Sequence, residues 1–132
     1  MSKLINLSEA ASLAIHGMSL IAKAENSRLN VHNLANMLDA SPAHLAKVFQ
    51  KLNKADLTTS VRGPAGGFEL KRPAEEITFL DIYEAIEGKV SLNHCPLDKK
   101  NCAFKNCIFK SDLNRISAEI LNTYRNISLA DV

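Results

Sequence analysis

Residues 57–70 have the sequence LTTSVRGPAGGFEL. Its two ends, 57–61 and 67–70, carry β-branched, aromatic and aliphatic residues of the kind that form strands. The segment between them is Arg62-Gly63-Pro64-Ala65-Gly66, whose glycine and proline content favours a turn. A phosphate-binding loop is the alternative for such a glycine-rich segment, but the G-x-x-x-x-G-K-[ST] pattern is absent. The stretch therefore predicts a β-hairpin.

Two short helices joined by a tight turn are predicted just before this hairpin. The first follows Asn30, a favourable N-cap, and ends near Asp39. Ser41 and Pro42 then start a second helix over about 42–54, because serine is a favoured N-cap and proline suits the first helical position. One face of this helix carries Leu45, Val48, Phe49 and Leu52, and the opposite face carries His44, Lys47, Lys51 and Lys54.

A helix-turn-helix followed directly by a hairpin is the order found in winged DNA-binding domains. The alternative is an ordinary helix pair whose lysines are simply solvated. If the hairpin is a wing, Arg62 at its tip suits a narrow minor groove, where the negative potential attracts a guanidinium. The residues expected to contact DNA are Ser41, Pro42, Ala43, His44, Ala46, Lys47, Lys51, Arg62, Gly63 and Pro64.

Three further helices complete the predicted fold. One begins at Ser8 and runs to Lys23, and another runs from the capping box at Thr78 to Gly88. The last carries an apolar stripe at steps of four and three, formed by Phe109, Leu113, Ile116, Ile120, Thr123 and Ile127. This stripe predicts a dimerisation helix, with packing onto the N-terminal helix of the same chain as the alternative.

The predicted fold is therefore mainly α, with a small β-hairpin wing. We divide the chain into a winged helix-turn-helix domain (1–88), a cysteine-rich loop (89–107), and a dimerisation helix with its tail (108–132). The net charge is only +2, yet residues 1–73 hold nine Lys and Arg against five Asp and Glu, whereas residues 74–132 hold seven against nine. The basic excess thus coincides with the predicted DNA-binding part.

Several classes of protein are excluded or disfavoured by the sequence. No apolar run is long enough for a membrane helix, and no catalytic motif such as H-E-x-x-H or G-x-S-x-G is present. We therefore expect neither a membrane protein nor an enzyme. The cysteine count is odd and no signal peptide is evident, which predicts a reducing cytoplasm.

All three cysteines, Cys95, Cys102 and Cys107, lie in one polar segment that should be an exposed loop. Three thiolates with one other ligand suit an iron–sulfur cluster. Zinc bound with His94 is a second reading, although structural zinc sites favour closer cysteine pairs. In a third reading, Lys99, Lys100 and Lys105 favour the thiolate of Cys102, which then senses oxidants. The residues alone leave the three readings open.

The chain resembles the Rrf-two family of bacterial winged-helix regulators, which includes IscR-, NsrR- and RirA-like proteins. The most specific resemblance is residues 61–70, which look like the family's wing motif. The helix over 42–54, the segment from Ile77 to Gly88, the three-cysteine loop and the long last helix follow the family's order. The resemblance implies a homodimer that binds a pseudo-palindromic DNA operator.

It also implies a [2Fe–2S] or [4Fe–4S] cluster on Cys95, Cys102 and Cys107. The spacing here is C-x6-C-x4-C, whereas the family pattern is close to C-x5-C-x5-C, so the middle thiol is displaced. Lys110 occupies the position of a ligating histidine in IscR-like proteins. Candidates for the fourth ligand are Glu9, His94, Asp98 and Asp112, and resemblance to NsrR-like proteins favours Glu9 of the opposite subunit. A clusterless member, regulated by thiol oxidation or by a partner protein, is the alternative.

Overall fold

A computed structural model of the chain describes residues 2–92, 95–97 and 100–132. The helices are α1 (Glu9–Lys23), α2 (Val31–Leu38), α3 (Pro42–Lys54), α4 (Phe79–Glu87) and α5 (Asp112–Asn126), and the strands are β1 (Arg28–Leu29), β2 (Thr58–Val61) and β3 (Gly67–Leu70). Two 3₁₀ turns, Ala74–Glu76 and Leu129–Asp131, complete the order. The predicted fold, mainly helical with a hairpin wing, is confirmed.

The first four helices begin where the sequence predicts, because their caps form as expected. The side chains of Ser8, Asn30, Ser41 and Thr78 each accept a hydrogen bond from a backbone N–H in the first turn of the helix that follows. Gly88 ends α4 with a positive φ of 91°, which glycine adopts without a steric penalty. None of the described helices is both long and apolar enough to span a membrane.

The sheet has three antiparallel strands in the order β1-β3-β2. The β2–β3 hairpin is the predicted one, but β1 is not predicted: the sequence indicates only a polar connector there. Arg28 pairs with Glu69 and Leu29 pairs with Phe68. A Cβ atom on Gly67, whose φ is +152°, would lie 2.6 Å from the carbonyl oxygen of Leu29. Glycine at this position therefore permits the close approach of β1.

The core lies between α1, α2, α3 and α4 and is closed on one side by the sheet. The ring of Phe49 on α3 stacks on that of Phe68 on β3, with centroids 4.3 Å apart. The same core contains the fully buried side chains of Met18, Ile21, Leu34, Leu45, Leu52, Ile77 and Ile82. Burial of this apolar surface is the main force that fixes α3 in place.

After α5 the chain returns to the core. Leu129 is buried, and its backbone N–H donates to the carbonyl oxygen of Ile77 at 3.0 Å. Thr78 and Ser128 form an isolated antiparallel bridge, and the N–H of Phe79 donates to the carbonyl of Ile127 at 2.9 Å. The end of α5 is thus attached to the start of α4.

Helix α5 itself contains no buried residue within one chain. Its contact is with α4, where Tyr124 meets the edges of Phe79 and Tyr83, and not chiefly with the N-terminal helix. The helix is shorter than the apolar stripe, because Phe109 and Ile127 lie outside its bounds. Ile116 is 41% exposed, so the apolar face lacks cover in the single chain.

Candidate DNA-binding surface and cysteine loop

Helix α3 presents one polar face because its other face is anchored. Leu45, Val48, Phe49 and Leu52 are all buried, which fixes the rotation of the helix about its axis. We call the opposite face the α3 surface; it consists of Ser41, Pro42, Ala43, His44, Ala46, Lys47 and Lys51. His44 and Ala46 are half-buried, and the other five residues are exposed. A surface of this kind has the size and polarity to enter a major groove.

The two lysines of the α3 surface have different surroundings. Lys47 is exposed. The ammonium group of Lys51 lies 3.5 Å from the carbonyl oxygen of Ile86, in the last turn of α4. A cation is favourable there, since the C-terminal end of a helix carries partial negative charge. Lys51 therefore connects α3 with the end of α4.

Glu9, the candidate cluster ligand, lies beside the α3 surface of its own chain. Its carboxylate is 3.9 Å from Nδ1 of His44, and its side chain is 76% exposed. The neighbouring Ser8 donates a hydrogen bond to the carboxylate of Glu87. The start of α1, the start of α3 and the end of α4 therefore meet at one edge of the domain.

The wing turn follows β2. Its three residues that are expected to contact DNA, Arg62, Gly63 and Pro64, are exposed. The N–H of Gly66 donates to the carbonyl of Gly63 at 2.9 Å and closes the turn. A Cβ atom on Gly66 would lie 2.2 Å from the carbonyl oxygen of Val61, so a side chain there is incompatible with this turn. The turn thus holds Arg62 at an exposed position next to a compact loop.

Arg28, which the sequence indicates only as part of a connector, contacts this wing. Its guanidinium donates to the carbonyl oxygen of Ala65 at 3.0 Å and to the carboxylate of Glu69 at 3.0 Å. A two-residue strand has no periodicity, and no motif marks an arginine of this kind. Only the pairing of β1 with β3 brings these groups together.

Two of the three cysteines in the loop line the same cavity. Cys95 and Cys107 line one cavity of about 270 Å³ between the loop and the start of α5, and Cys102 is not among its lining residues. All three thiols are free and exposed. Within residues 2–92, 95–97 and 100–132, no three Cys, His, Asp or Glu side chains are close enough to hold a metal ion. The candidate ligands His94 and Asp98, and Lys99 near Cys102, lie outside the described residues.

The backbone around Cys107 favours the thiolate form of its side chain. Backbone N–H groups of Phe109 and Ser111, and then that of Lys110, lower the pKa of its thiol below the ordinary value. The left-handed conformations of Lys110 and Ser111, with φ of 51° and 64°, form the concave turn that favours an anion. The lysines near Cys102 predict a stabilised thiolate there, but the backbone provides one at Cys107, and no pattern of residue types reveals it.

A helix-turn-helix with an anchored α3, an exposed wing and a thiol-bearing loop before a last helix defines a winged-helix DNA-binding regulator. The chain belongs to the Rrf2 family, described as iron-dependent transcriptional regulators, and the family model matches residues 7–132. The family consists of transcriptional regulators and not of enzymes.

The chain is similar to individual members of this family. It is 36% identical over 92 residues to the HTH-type transcriptional regulator IscR of Cereibacter sphaeroides, and this match covers 70% of the chain and 59% of that relative. The fold matches CymR of B. subtilis, the global cysteine regulator, with a TM-score of 0.77, 22% identity and coverage of 97% and 95% of the two chains. It also matches the oxidized form of Staphylococcus aureus CymR, with a TM-score of 0.75, 25% identity and coverage of 96% and 94%.

Proposed function

We propose that this regulator is a cytoplasmic homodimer whose affinity for a double-stranded DNA operator depends on an iron–sulfur cluster, [2Fe–2S] or [4Fe–4S]. The cluster ligands are Cys95, Cys102 and Cys107. The observation that carries the proposal is the shared cavity of Cys95 and Cys107 at the start of α5. Thiolates are the usual ligands of such clusters, and the turn around Cys107 already favours the thiolate form.

The fourth ligand is proposed to be Glu9 of the partner subunit. Within its own chain, the Glu9 carboxylate is exposed and lies beside His44, so it is available to a second molecule. Asp112 is a weaker candidate because its carboxylate lies 3.6 Å from Arg115. When bound, the cluster would supply a centre that responds to iron, oxygen, nitric oxide or electrons.

On DNA, the α3 surface is proposed to occupy the major groove, with its N-terminal end nearest the base edges. Lys47 and Lys51 then face the phosphate backbone, and Arg62 enters the adjacent minor groove. Phosphate contacts set affinity and position, whereas base-edge and groove-shape contacts set sequence preference. Lys47, Lys51 and Arg62 are exposed, and the opposite face of α3 is buried in the core, which supports the assignment.

The dimer is proposed to form through α5. An apolar groove of about 200 Å³ separates the N-terminal segment from α4 and α5; it is lined by Ile5, Asn6, Leu7, Leu80, Tyr83, Val90, Ser117, Ile120, Leu121 and Tyr124. The exposed Ile116 lies on the same helix. A second copy would cover this apolar face and place two α3 surfaces on one side of the dimer, as a palindromic operator requires.

A physical route connects the loop with α3. The segment leading to Cys95 is tied to α4, since the N–H of Val90 donates to the carboxylate of Glu84 at 2.9 Å. The last turn of α4 in turn holds Lys51 through Ile86 and Ser8 through Glu87. Loading or loss of the cluster alters DNA affinity only if the cluster-bound and cluster-free forms of the protein differ in these contacts.

A clusterless regulator that responds to thiol oxidation is the second candidate. The lowered pKa of Cys107 and its shared cavity with Cys95 favour it. An oxidant such as hydrogen peroxide would convert the Cys107 thiolate into a sulfenic acid. Attack by the Cys95 thiol would then form a disulfide and release water.

Purification without oxygen, followed by absorption spectroscopy and assays of iron and sulfide, separates the two candidates. We expect a coloured protein with about one cluster per chain, a stoichiometry that follows from one three-cysteine site per chain. The variants Cys95→Ala, Cys102→Ala and Cys107→Ala should each lose it and share one DNA-binding phenotype. Colourless protein that forms a Cys95–Cys107 disulfide with peroxide, and then changes DNA affinity, would support the second candidate instead. A triple variant with wild-type affinity under anaerobic, nitrosylating and oxidising conditions would refute both switches.

A further inference from the structure

A side chain on β1 reaches the turn at the tip of the wing, in addition to the strand pairing and the Phe49–Phe68 contact that hold the base of the hairpin. Arg28 lies opposite Glu69 in the β1–β3 register, so the two side chains lie on the same face of the sheet. Its Nε and Nη2 both donate to one carboxylate oxygen of Glu69, at 3.3 and 3.0 Å. Its Nη1 donates to the carbonyl of Ala65, within the wing turn itself.

These contacts add a restraint at the turn, which the strand pairing and the core contact of Phe68 do not reach. The pairing of the two strands ends at Val61 and Gly67, so the turn between them lies beyond the sheet. Ala65 belongs to the exposed turn, three residues from Arg62. A planar guanidinium that binds a strand carboxylate and a turn carbonyl at once restrains both, which a lysine with its single ammonium does less well.

We propose that Arg28 is a positioning residue for DNA recognition: it holds the wing turn in the orientation in which Arg62 meets the minor groove. This inference rests on the proposed contact between the wing and DNA. Arg28 acts through Ala65 and Glu69 and does not itself need to touch DNA. Its effect is therefore confined to the part of the affinity that comes from the wing.

A direct contact between Arg28 and a phosphate is the competing explanation, and Glu69 distinguishes the two. Removal of Glu69 deletes a negative charge and releases the guanidinium, so a direct contact predicts stronger DNA binding. The positioning role predicts weaker binding, because the turn is no longer restrained. The two explanations thus predict opposite signs for Glu69→Ala.

The experiment uses the full chain and two DNA duplexes. One is an operator selected from random-sequence DNA; the other is a shortened form that lacks the flanking base pairs that the wing is proposed to contact. Binding is measured for Arg28→Ala, Arg28→Lys, Glu69→Ala and Arg62→Ala, and for Arg28→Ala combined with Arg62→Ala. The control is Lys71→Ala, which removes the same charge from another surface ion pair, that with Asp56 at 2.7 Å. Amide hydrogen exchange at Gly66, whose N–H closes the turn, reports wing order without DNA.

We expect Arg28→Ala to reduce affinity for the full operator about tenfold, the equivalent of one charge-assisted hydrogen bond. Arg28→Lys should recover part of that affinity, and Glu69→Ala should also weaken binding. The decrease on the shortened duplex should match that of Lys71→Ala. In the Arg62→Ala background, Arg28→Ala should change affinity by no more than about twofold. Gly66 should exchange faster in Arg28→Ala and Glu69→Ala.

Four results would overturn the inference. Tighter binding by Glu69→Ala, or effects of Arg28→Ala and Arg62→Ala that simply add, would show that Arg28 acts on DNA directly. Equal affinities of Arg28→Ala and Lys71→Ala would show that the wing needs no such restraint. If Arg62→Ala still weakens binding in that case, the proposed contact between the wing and DNA stands without the role of Arg28. If Arg62→Ala binds both duplexes like the wild type, the proposed wing contact fails and the inference with it.

Discussion

The ammonium group of Lys51 lies 3.5 Å from the carbonyl oxygen of Ile86, which joins the DNA-facing helix α3 to the last turn of α4. One residue further along α4, Glu87 accepts a hydrogen bond from Ser8 at the start of α1. Cys95 follows eight residues after Glu87 in the sequence. A lysine proposed to contact DNA therefore also contacts the helix end from which the cysteine loop departs.

Lys47→Ala and Lys51→Ala should both weaken DNA binding without changing its sequence preference, because phosphate contacts carry no sequence information. Each substitution should reduce the slope of log affinity against log salt by about one for every phosphate that a subunit no longer neutralises. The control is Lys23→Ala, at the end of α1. A Lys51→Ala protein with the wild-type slope would show that this ammonium serves only α4.

Cys107 should be alkylated at lower pH than an ordinary thiol. The backbone N–H groups of Phe109 and Ser111 stabilise its thiolate, so its pKa lies below the ordinary value and the reactive form persists as the pH falls. The measurement is the rate of iodoacetamide reaction against pH in a Cys95→Ser, Cys102→Ser protein purified without metal. The same protein in concentrated guanidinium should return to the ordinary thiol profile. Identical folded and unfolded profiles would contradict the structure.

Glu9→Ala should alter the absorption, circular dichroism and electron paramagnetic resonance of the reduced cluster, because it removes the proposed fourth ligand. Loss of Glu9 also disturbs His44 in its own chain, which is 3.9 Å away. His44→Ala is therefore the matched control: it should change DNA binding and leave the spectra unchanged. Spectra that are unaffected in Glu9→Ala but altered in His94→Ala would transfer the role to the histidine.

Gly67→Ala should destabilise the domain more than Gly63→Ala. Both glycines have positive φ, and a side chain in such a conformation costs about 1–3 kcal/mol. The added Cβ at position 63 meets open space, whereas at 67 it would lie 2.6 Å from the carbonyl oxygen of Leu29. The free energies of unfolding from urea titrations test this order, and equal values would mean that β1 moves aside at no cost.

Ile116→Glu should convert the proposed dimer into a monomer that keeps its folded winged-helix core. Ile116 is exposed on the apolar face of α5, which contributes no buried residue to its own chain. A charge there is costly only if a partner covers it. Asn122→Glu places the same charge on the opposite face of the helix and should leave the dimer intact in sedimentation experiments. Equal sedimentation of both variants and the wild type would exclude α5 as the interface.

The parts of the fold that could be predicted are those marked by short-range sequence signals. The caps at Ser8, Asn30, Ser41 and Thr78 are short-range interactions, and each helix begins where its cap predicts. Strand β1 could not be predicted because two residues have no periodicity; it exists because Gly67 lets Leu29 approach. The stripe of α5 extends beyond the helix, since spacing alone does not show where the backbone turns.

Part of the candidate site could likewise be predicted from the sequence, and part of it could not. The α3 surface follows from the opposite, buried face of one helix, which a sequence pattern shows well. The pKa of Cys107, the contact of Arg28 with Ala65 and that of Lys51 with Ile86 depend on backbone atoms brought together by the fold. Backbone amides and carbonyls are common to nearly every residue, so no choice of side chain marks them in advance.

The bridge between Thr78 and Ser128 holds the C-terminal end of α5, so a tilt of the helix would pivot about this end. A helix of fifteen residues is a lever about 22 Å long. A 2 Å displacement beside Cys107 then corresponds to a tilt of only about 5° about that end, given the same length. A small movement of the cysteine loop therefore corresponds to only a small rotation of α5 where it meets Thr78.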